Sequence, residues 1–287
     1  MLKPYRERVL STYALMQTMI EQASLHAAAL KTNRTKERSA VLKEQSFPLG
    51  WKIDSSINST INFMGYGQAF KISEATGQQR MYYDRTRPFT KKVNFYDTYK
   101  PVNEVAKPVA YIIPQGWHAV IDLLKANQVK YTRFSKDTII SVETYQIDDY
   151  KTTAKAYEKH HKNSAVKVSS FTRKIKFLQG DYYIPLNQAA NRYLVEMLEP
   201  TGDDSFFAWN FFDAILQQKE GYSDYRWEDV AAQVLRDDPA LQKQLQDKKA
   251  TDSSFANNAQ AQLDFIYKNS PYYEPVHLRY PVFRFVQ

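Results

Sequence analysis

The stretch that decides the fold runs from Pro108 to Phe134 and reads PVAYIIPQGWHAVIDLLKANQVKYTRF. It opens with the compact apolar run Val109–Ile113, which predicts a buried strand that stops at Pro114. Apolar residues then recur at helical spacing over residues 117–127, and residues 129–134 return to the alternation of a strand. The stretch therefore predicts a strand–helix–strand unit, and such a crossover is expected to pair its two strands in parallel.

On the amino-terminal side, residues 5–45 predict one long helix or two shorter ones. No Gly or Pro interrupts the chain between Pro4 and Pro48. One apolar stripe recurs at steps of three and four residues, and it consists of Val9, Tyr13, Met16, Ile20 and Ala23. This spacing favours an amphipathic helix with one side available for packing.

Between about residues 47 and 100 the pattern changes to short β segments. Two of them flank Glu74-Ala75-Thr76-Gly77, where Gly77 can adopt positive φ, so a hairpin is expected there. The run Phe63-Met64-Gly65-Tyr66-Gly67 spaces two glycines, but it has no third Gly and no helix after it. We therefore predict an irregular strand there and not a nucleotide-binding loop.

On the carboxyl-terminal side, residues 138–186 predict longer antiparallel strands, interrupted by a polar loop at about Lys151–Asn163. The chain then turns helical, with candidate helices at 188–198, 205–219, 225–236, 239–247 and 255–268. Asp238-Pro239 is typical of a helix start, and the last residues predict an extended tail. The expected class is α+β, with an amino-terminal helix, a mixed or antiparallel β region that holds the one strand–helix–strand unit, and a helical carboxyl-terminal region. The expected parts are residues 1–46, 47–186 and 187–287.

Composition limits the classes of function. The chain has 287 residues, 43% of them hydrophobic and 14% aromatic, which is enough to build a sizeable core. There is no cysteine, so disulfides, thiolate zinc sites and cysteine nucleophiles are excluded. No apolar run of about 18 residues is present, so no membrane span is expected. The charged start MLKPYRERVL lacks the features of a signal peptide, which predicts either a cytoplasmic protein or a fragment of a longer one.

The net charge of +8 is spread unevenly along the chain. It is +8 over residues 1–100, +4 over 101–200 and −4 over 201–287. Apart from a short cluster between Lys31 and Arg38, which suits a solvated helix face, the basic residues are scattered. A nucleic-acid partner is therefore not expected.

Histidine clusters offer little for metal chemistry. None of the five histidines belongs to an H-x-x-E or H-E-x-x-H sequence, so the standard zinc-peptidase signatures are missing. The densest group of potential ligands is Tyr157-Glu158-Lys159-His160-His161. Adjacent histidines on a strand point to opposite faces, which disfavours one shared ion. A metal site, a loop that recognises a polar partner and an ordinary structural loop remain open for this group.

A second group places three carboxylates close together in Glu199-Pro200-Thr201-Gly202-Asp203-Asp204-Ser205, ahead of a predicted helix that carries Trp209. Such carboxylates can do acid–base work or bind calcium, but Asp and Ser before a helix also serve as an N-cap. No catalytic, cofactor-binding or metal-binding residue is predicted. The residues that we select as a possible recognition surface are Tyr157, Glu158, His160, Glu199, Asp203, Asp204 and Trp209.

Several ordered runs resemble a known family. They are Pro108–Pro114 with Trp117, Tyr157-Glu158 with His160, Asn187–Arg192, Leu198–Phe206, Trp209–Asp213, Lys219-Glu220, Ala231–Pro239, Asp252–Ala256 and Tyr280–Val282. Together they make most of residues 60–287 similar to the carboxyl-terminal region of bacterial zinc carboxypeptidases, which are large secreted members of the carboxypeptidase A-like metallopeptidase family. The zinc ligands and catalytic glutamate of such enzymes precede the matched part, and none of them falls on a residue of this chain.

The resemblance implies an accessory, non-catalytic region that aids stability or substrate recognition in a zinc carboxypeptidase-like protein. It further implies a periplasmic or secreted parent, a preceding carboxypeptidase domain as partner, a peptide as substrate, and zinc only in that preceding domain. Residues 5–45 would then be the helix that trails the catalytic domain. Two alternatives remain from the residues themselves. One is a free-standing module that binds peptides or cell-envelope glycans, and the other is an enzyme with an unfamiliar site near Glu158 and His160 or near Glu199, Asp203 and Asp204.

Overall fold

The computed structural model describes residues 4–218 and 221–286. The chain divides into two compact units, one of residues 46–105 and one that joins residues 1–45 to residues 106–287. This division differs from the expected parts 1–46, 47–186 and 187–287. The physical reason is that the last strand of the chain pairs with strands of the middle region, so those two regions share one sheet.

The unit of residues 46–105 consists of four strands. They are β1 (Ser46–Ile53), β2 (Ser59–Ile72), β3 (Gln79–Phe95) and β4 (Tyr99–Ala106). β2 and β3 form a long antiparallel hairpin, and β1 pairs with β4. Gly77 has φ of +67° in the turn, which confirms the predicted hairpin. The register shifts between Tyr66 and Gly67, so the predicted irregularity of this strand is confirmed as well.

The larger unit contains the helices and a six-stranded sheet. Its helices are α1 (Tyr5–Leu25), α2 (Ala27–Ala40), α3 (His118–Ala126), α4 (Asn191–Leu198), α5 (Asp224–Asp237), α6 (Pro239–Thr251), α7 (Ser253–Ala256) and α8 (Ala259–Lys268). Its strands are β5 (Ala110–Ile113), β6 (Thr132–Arg133), β7 (Thr138–Thr152), β8 (Asn163–Phe177), β9 (Tyr182–Pro185) and β10 (Phe283–Phe285). The predicted α+β class is confirmed, with an amino-terminal helical segment and a helical carboxyl-terminal region.

The sheet has the order β6-β9-β5-β10-β7-β8, and its neighbouring strands run antiparallel. The predicted strand–helix–strand unit forms as β5, α3 and β6. Its two strands do not pair with each other, however, because β9 lies between them and bonds to both. The expectation of a parallel pair was therefore wrong, because β9 occupies the position beside β5 that β6 was expected to take.

Two clusters of buried side chains illustrate the core of this unit, one on the sheet and one among the last helices. On one face of the sheet, Ile112, Val142, Phe177 and Phe283 pack into one cluster. The helices α5 to α8 bury their own cluster around Trp227, whose indole N–H donates to the Leu263 carbonyl at 3.1 Å. Asp238 accepts hydrogen bonds from the amides of Ala240 and Leu241, each at 3.0 Å, and so confirms the predicted N-cap of α6.

Two predictions about helices can be compared with the structure. Residues 5–45 form two helices, which is one of the two expected arrangements. However, α1 buries no side chain, and its apolar stripe is exposed, including Val9, Tyr13, Met16 and Ile20. The predicted helix at 205–219 was wrong within the described residues, and residue 219 lies outside them. The chain there forms turns and one short 3-10 helix (Asp213–Leu216), because Asn210 adopts φ of 66° and neighbouring Phe side chains turn into the core.

Over residues 4–218 and 221–286, no helix combines the length and the apolar character needed to span a bilayer.

Candidate functional site

The loop between β7 and β8 ends in a tight two-residue turn. Tyr157 and His160 exchange both backbone hydrogen bonds, at 2.8 and 2.9 Å, and so face each other across the turn. The residues between them, Glu158 and Lys159, have φ of 48° and 72°. Two positive φ values in a row match a type I′ hairpin turn, which usually needs Gly or Asn because other side chains are strained in this conformation. Residues opposite each other in an antiparallel pair share a face, so Tyr157 and His160 project on the same side.

Trp209 and Phe211 meet these two side chains from the segment that follows α4. The His160 ring lies 5.5 Å from the Trp209 ring in an edge-to-face arrangement and 6.3 Å from the Phe211 ring in a stacked one. The Tyr157 ring lies 6.4 Å from Trp209. We call these four residues, Tyr157, His160, Trp209 and Phe211, the aromatic surface. Tyr157 is 63% exposed, so the surface is open to solvent at this end.

Polar contacts fix the segment that carries Trp209 against the loop. The side-chain amide of Asn210 donates to the His161 carbonyl at 2.9 Å. Asn163 is buried at the end of the loop. Its backbone amide donates to the Ala208 carbonyl, and its side-chain amide donates to the Phe207 carbonyl. The aromatic surface is therefore built by two chain segments that are tied together at several points.

A charged pair borders the aromatic surface. The Lys162 ammonium lies 4.7 Å from the centre of the Trp209 ring and 2.7 Å from an Asp204 carboxylate oxygen. The same oxygen accepts from the Trp209 indole N–H at 3.2 Å. The hydrogen bond from Lys162 is the main reason that the pKa of Asp204 lies below its usual value. Asp204 thus holds both Lys162 and the indole in place.

The structure brings some of the predicted recognition residues together and separates others. Tyr157, His160, Asp204 and Trp209 form one site; Glu158 lies exposed at the tip of its turn, and Asp203 is exposed beside Asp204. Sequence reasoning missed Phe211 and Lys162, which complete the site. The only sequence signal for Phe211 was its position two residues after Trp209. No sequence pattern indicated that Lys162 would lie against the indole ring.

Glu199 is a correction to the predicted surface, because it is 1% exposed and belongs to a buried charged cluster. The Tyr111 hydroxyl donates to one of its oxygens at 2.6 Å. The Nε atom of Arg284 lies 3.0 Å from that oxygen at an angle unsuited to a hydrogen bond, so their attraction is that of an ion pair. Burial is the main influence on the carboxyl group and raises the pKa of Glu199, against the opposing effect of Arg284.

Arg284 also interacts with two further groups of the cluster. Its guanidinium forms an ion pair with Glu143 and donates to the carbonyl of Ala106. Burial lowers the pKa of Arg284, but the neighbouring acidic groups, Glu199 first, leave it raised overall. Glu199 therefore has its partners inside the protein, and it cannot join Asp203 and Asp204 in a common surface site. The described residues also contain no cluster of three or more His, Asp or Glu arranged to hold a metal ion.

Comparisons with known proteins give no match for this chain among family models, curated proteins or solved structures. The resemblance to the carboxyl-terminal region of zinc carboxypeptidases therefore remains a prediction from the motifs. Of those motifs, Lys219-Glu220 lies outside the described residues.

Proposed function

We propose that this chain is a non-catalytic recognition region that binds an extended peptide at its aromatic surface. The observation that carries the proposal is the strained turn at Glu158 and Lys159, which holds Tyr157 and His160 against Trp209. Strain of this kind persists only where the surrounding structure maintains it, and it is concentrated at functional sites. Tyr and Trp offer large, rigid contact areas that lose little conformational entropy on binding, and aromatic-lined grooves are a recurring way to bind extended peptides.

Charges near the aromatic surface favour a partner with acidic groups. The loop from Lys151 to Asn163 carries four lysines and one glutamate. Among the residues that the structure describes, Lys162 and Asp204 neutralise each other, which leaves Lys151, Lys155 and Lys159 as the loop's unpaired lysines against Glu158. We therefore expect a peptide whose aromatic or proline residue stacks on Trp209 and whose acidic residues face the lysines. The affinity of such a peptide should fall as the salt concentration rises.

The wider proposal is that the chain serves as an accessory region of a zinc carboxypeptidase-like protein, in which peptide binding aids substrate recognition. The motif series supports this role, and so does the exposed apolar stripe of α1, which offers a surface to another protein region. The parent protein would be periplasmic or secreted and would hold its zinc in a preceding domain. Reading the coding sequence upstream of codon 1 tests this part. An upstream frame without H-x-x-E, a later His and a catalytic Glu would refute the accessory role and leave peptide binding untouched.

Peptide binding is tested by screening the chain against an array of decapeptides of varied sequence and measuring the best binder by titration calorimetry. Because an aromatic side chain that anchors an interface contributes on the order of 2 kcal/mol, we expect Trp209→Ala to weaken binding about 30-fold. Tyr225→Ala is the matched control, since Tyr225 is 86% exposed on α5, and it should leave binding unchanged. Equal affinity of Trp209→Ala and the parent chain for the peptide would show that the aromatic surface is not the site.

Cell-envelope glycans are the second candidate ligand, because sugar rings also stack on exposed Tyr and Trp side chains. A parallel titration with soluble peptidoglycan fragments separates the two. Binding of glycans that depends on Trp209, with no binding of peptides, would transfer the site to carbohydrate recognition and refute the peptide proposal.

A further inference from the structure

A second candidate binding site is a cavity of about 350 Å³ in the larger unit, and its lining residues are different from those of the aromatic surface. Its apolar wall includes Trp117, Ile215 and Phe283, and its polar residues include Glu274, His277 and Arg279. Ligand sites in proteins typically combine a mostly apolar lining with a few polar groups that orient the ligand, in volumes that begin near this size. The cavity therefore has the composition of a small-molecule site.

Arg279 is the polar residue that distinguishes the cavity. Half-buried, its guanidinium rests against the Phe283 ring, 5.8 Å from the ring centre. Among residues 4–218 and 221–286, no carboxylate lies within 4.0 Å of this guanidinium. Burial, and then the positive charge of Arg173, lower the pKa of Arg279. A cation that is partly removed from water and lies near another cation provides a favourable position for an anion.

The contrast with Arg284 shows that this position is unusual for the protein. Arg284 follows closely in the chain and is more deeply buried than Arg279, but two glutamates neutralise it. Glu274 lines the cavity without reaching Arg279, and His277 contacts the Tyr273 hydroxyl through Nδ1. Neither of these residues neutralises the guanidinium, so a ligand can do so.

The backbone holds Arg279 firmly in this position. The residue before it, Leu278, adopts φ of 58°, which is strained for a leucine. Its amide donates to the Ile215 carbonyl, and its carbonyl accepts from Ile147, both at 2.8 Å. Arg279 itself forms a β-bridge with Gln146. A strained residue that is fixed from two sides next to an unneutralised arginine fits a preorganised site.

We propose that this cavity binds a small monocarboxylate with an apolar or aromatic body. The carboxylate forms a bidentate pair with the Arg279 guanidinium, whose planar arrangement of donors matches it. The apolar body lies against Trp117 and Phe283. A free inorganic anion would leave this apolar wall without a partner, and a neutral apolar molecule would leave Arg279 without one.

The test uses 3-phenylpropanoate and its neutral amide, 3-phenylpropanamide, which share one shape and differ in charge. Titration calorimetry on the whole chain should give an affinity for the acid that is about ten- to a hundredfold higher than for the amide, because a hydrogen-bonded charged group contributes that much discrimination. The preference should disappear in Arg279→Gln, persist partly in Arg279→Lys, and remain intact in Arg226→Gln, a control on the exposed face of α5.

Two checks keep the result unambiguous. Circular dichroism melting of Arg279→Gln shows whether the variant is folded, and if it is not, Arg279→Lys supplies the comparison. Trp209→Ala should not change the affinity for 3-phenylpropanoate. Failure of the aromatic surface to bind a peptide would therefore not affect this proposal. Equal binding of acid and amide to the parent chain, no binding of either, or a preference that survives in Arg279→Gln would overturn it.

Discussion

Replacing Arg284 with Met should destabilise the protein in a way that depends strongly on pH. Arg284 is 7% exposed and Glu199 is 1% exposed, so the substitution leaves a buried carboxyl group without its counter-ion. Breaking a buried ion pair from one side typically costs about 3–5 kcal/mol, which is a large part of the roughly 5–15 kcal/mol that stabilises a domain. We therefore expect Arg284→Met to lower the free energy of unfolding by about 3–5 kcal/mol near pH 8.

The pH dependence follows from the direction of the pKa shift. Burial raises the pKa of Glu199 in the folded protein above the 4.5 of an unperturbed glutamate, and Arg284 opposes this effect. Without Arg284 the folded-state pKa rises further. A group with a raised folded-state pKa stabilises the protein fully below its unfolded pKa, and this contribution is lost as the pH rises through the folded pKa. The difference in stability between the variant and the parent chain should therefore be smallest near pH 4.5 and should grow above that pH.

The slope of this divergence has an upper limit. Glu199 exchanges one proton, so its contribution to the difference in the free energy of unfolding between Arg284→Met and the parent chain can grow by at most about 1.4 kcal/mol per pH unit. Urea denaturation followed by far-UV circular dichroism, at pH 5, 6, 7 and 8, measures it. In the double variant Arg284→Met, Glu199→Gln the slope should fall by the contribution of Glu199, because Gln does not ionise. A constant difference at every pH, or a slope as steep in the double variant as in Arg284→Met, would refute the reasoning.

Two further predictions concern local structure. Asp238→Ala should lower the free energy of unfolding by about 1 kcal/mol, because the amides of Ala240 and Leu241 lose their acceptor, and Asp238→Asn should retain most of it in urea denaturation. Lys159→Gly should raise the free energy of unfolding by up to about 1 kcal/mol, since φ of 72° is unstrained for Gly, and a melting temperature below that of the parent chain would contradict the strain at this turn.

Features fixed by local chemistry could be predicted from the sequence. The run Val109–Ile113 is apolar at every position, and it becomes the central strand β5 with its residues 110–113 buried. Gly77 and Asp238 each meet a requirement of the adjacent backbone, positive φ in one case and an N-cap acceptor in the other. In each case the interaction lies within a few residues of the signal. For the same reason Tyr157 and His160 could be selected as a cluster, although nothing in the sequence indicated a turn with two positive φ values.

Features fixed by distant partners could not be predicted in this way. Glu199 precedes Asp203 and Asp204, and by local pattern alone all three look like the polar start of a helix. The partner that decides its environment, Arg284, lies on β10, where the sequence shows only an extended tail. The tail forms β10, which lies between β5 and β7 and joins them into one sheet. This position places Arg284 beside Glu199. Periodicity carries no information about such a pairing, since hydrophobic patterns identify an element and its buried face but not the strand beside it. The same position of β10 places Phe283 in the wall of the cavity, so the placement of one short strand determines both the buried charge cluster and the candidate carboxylate site.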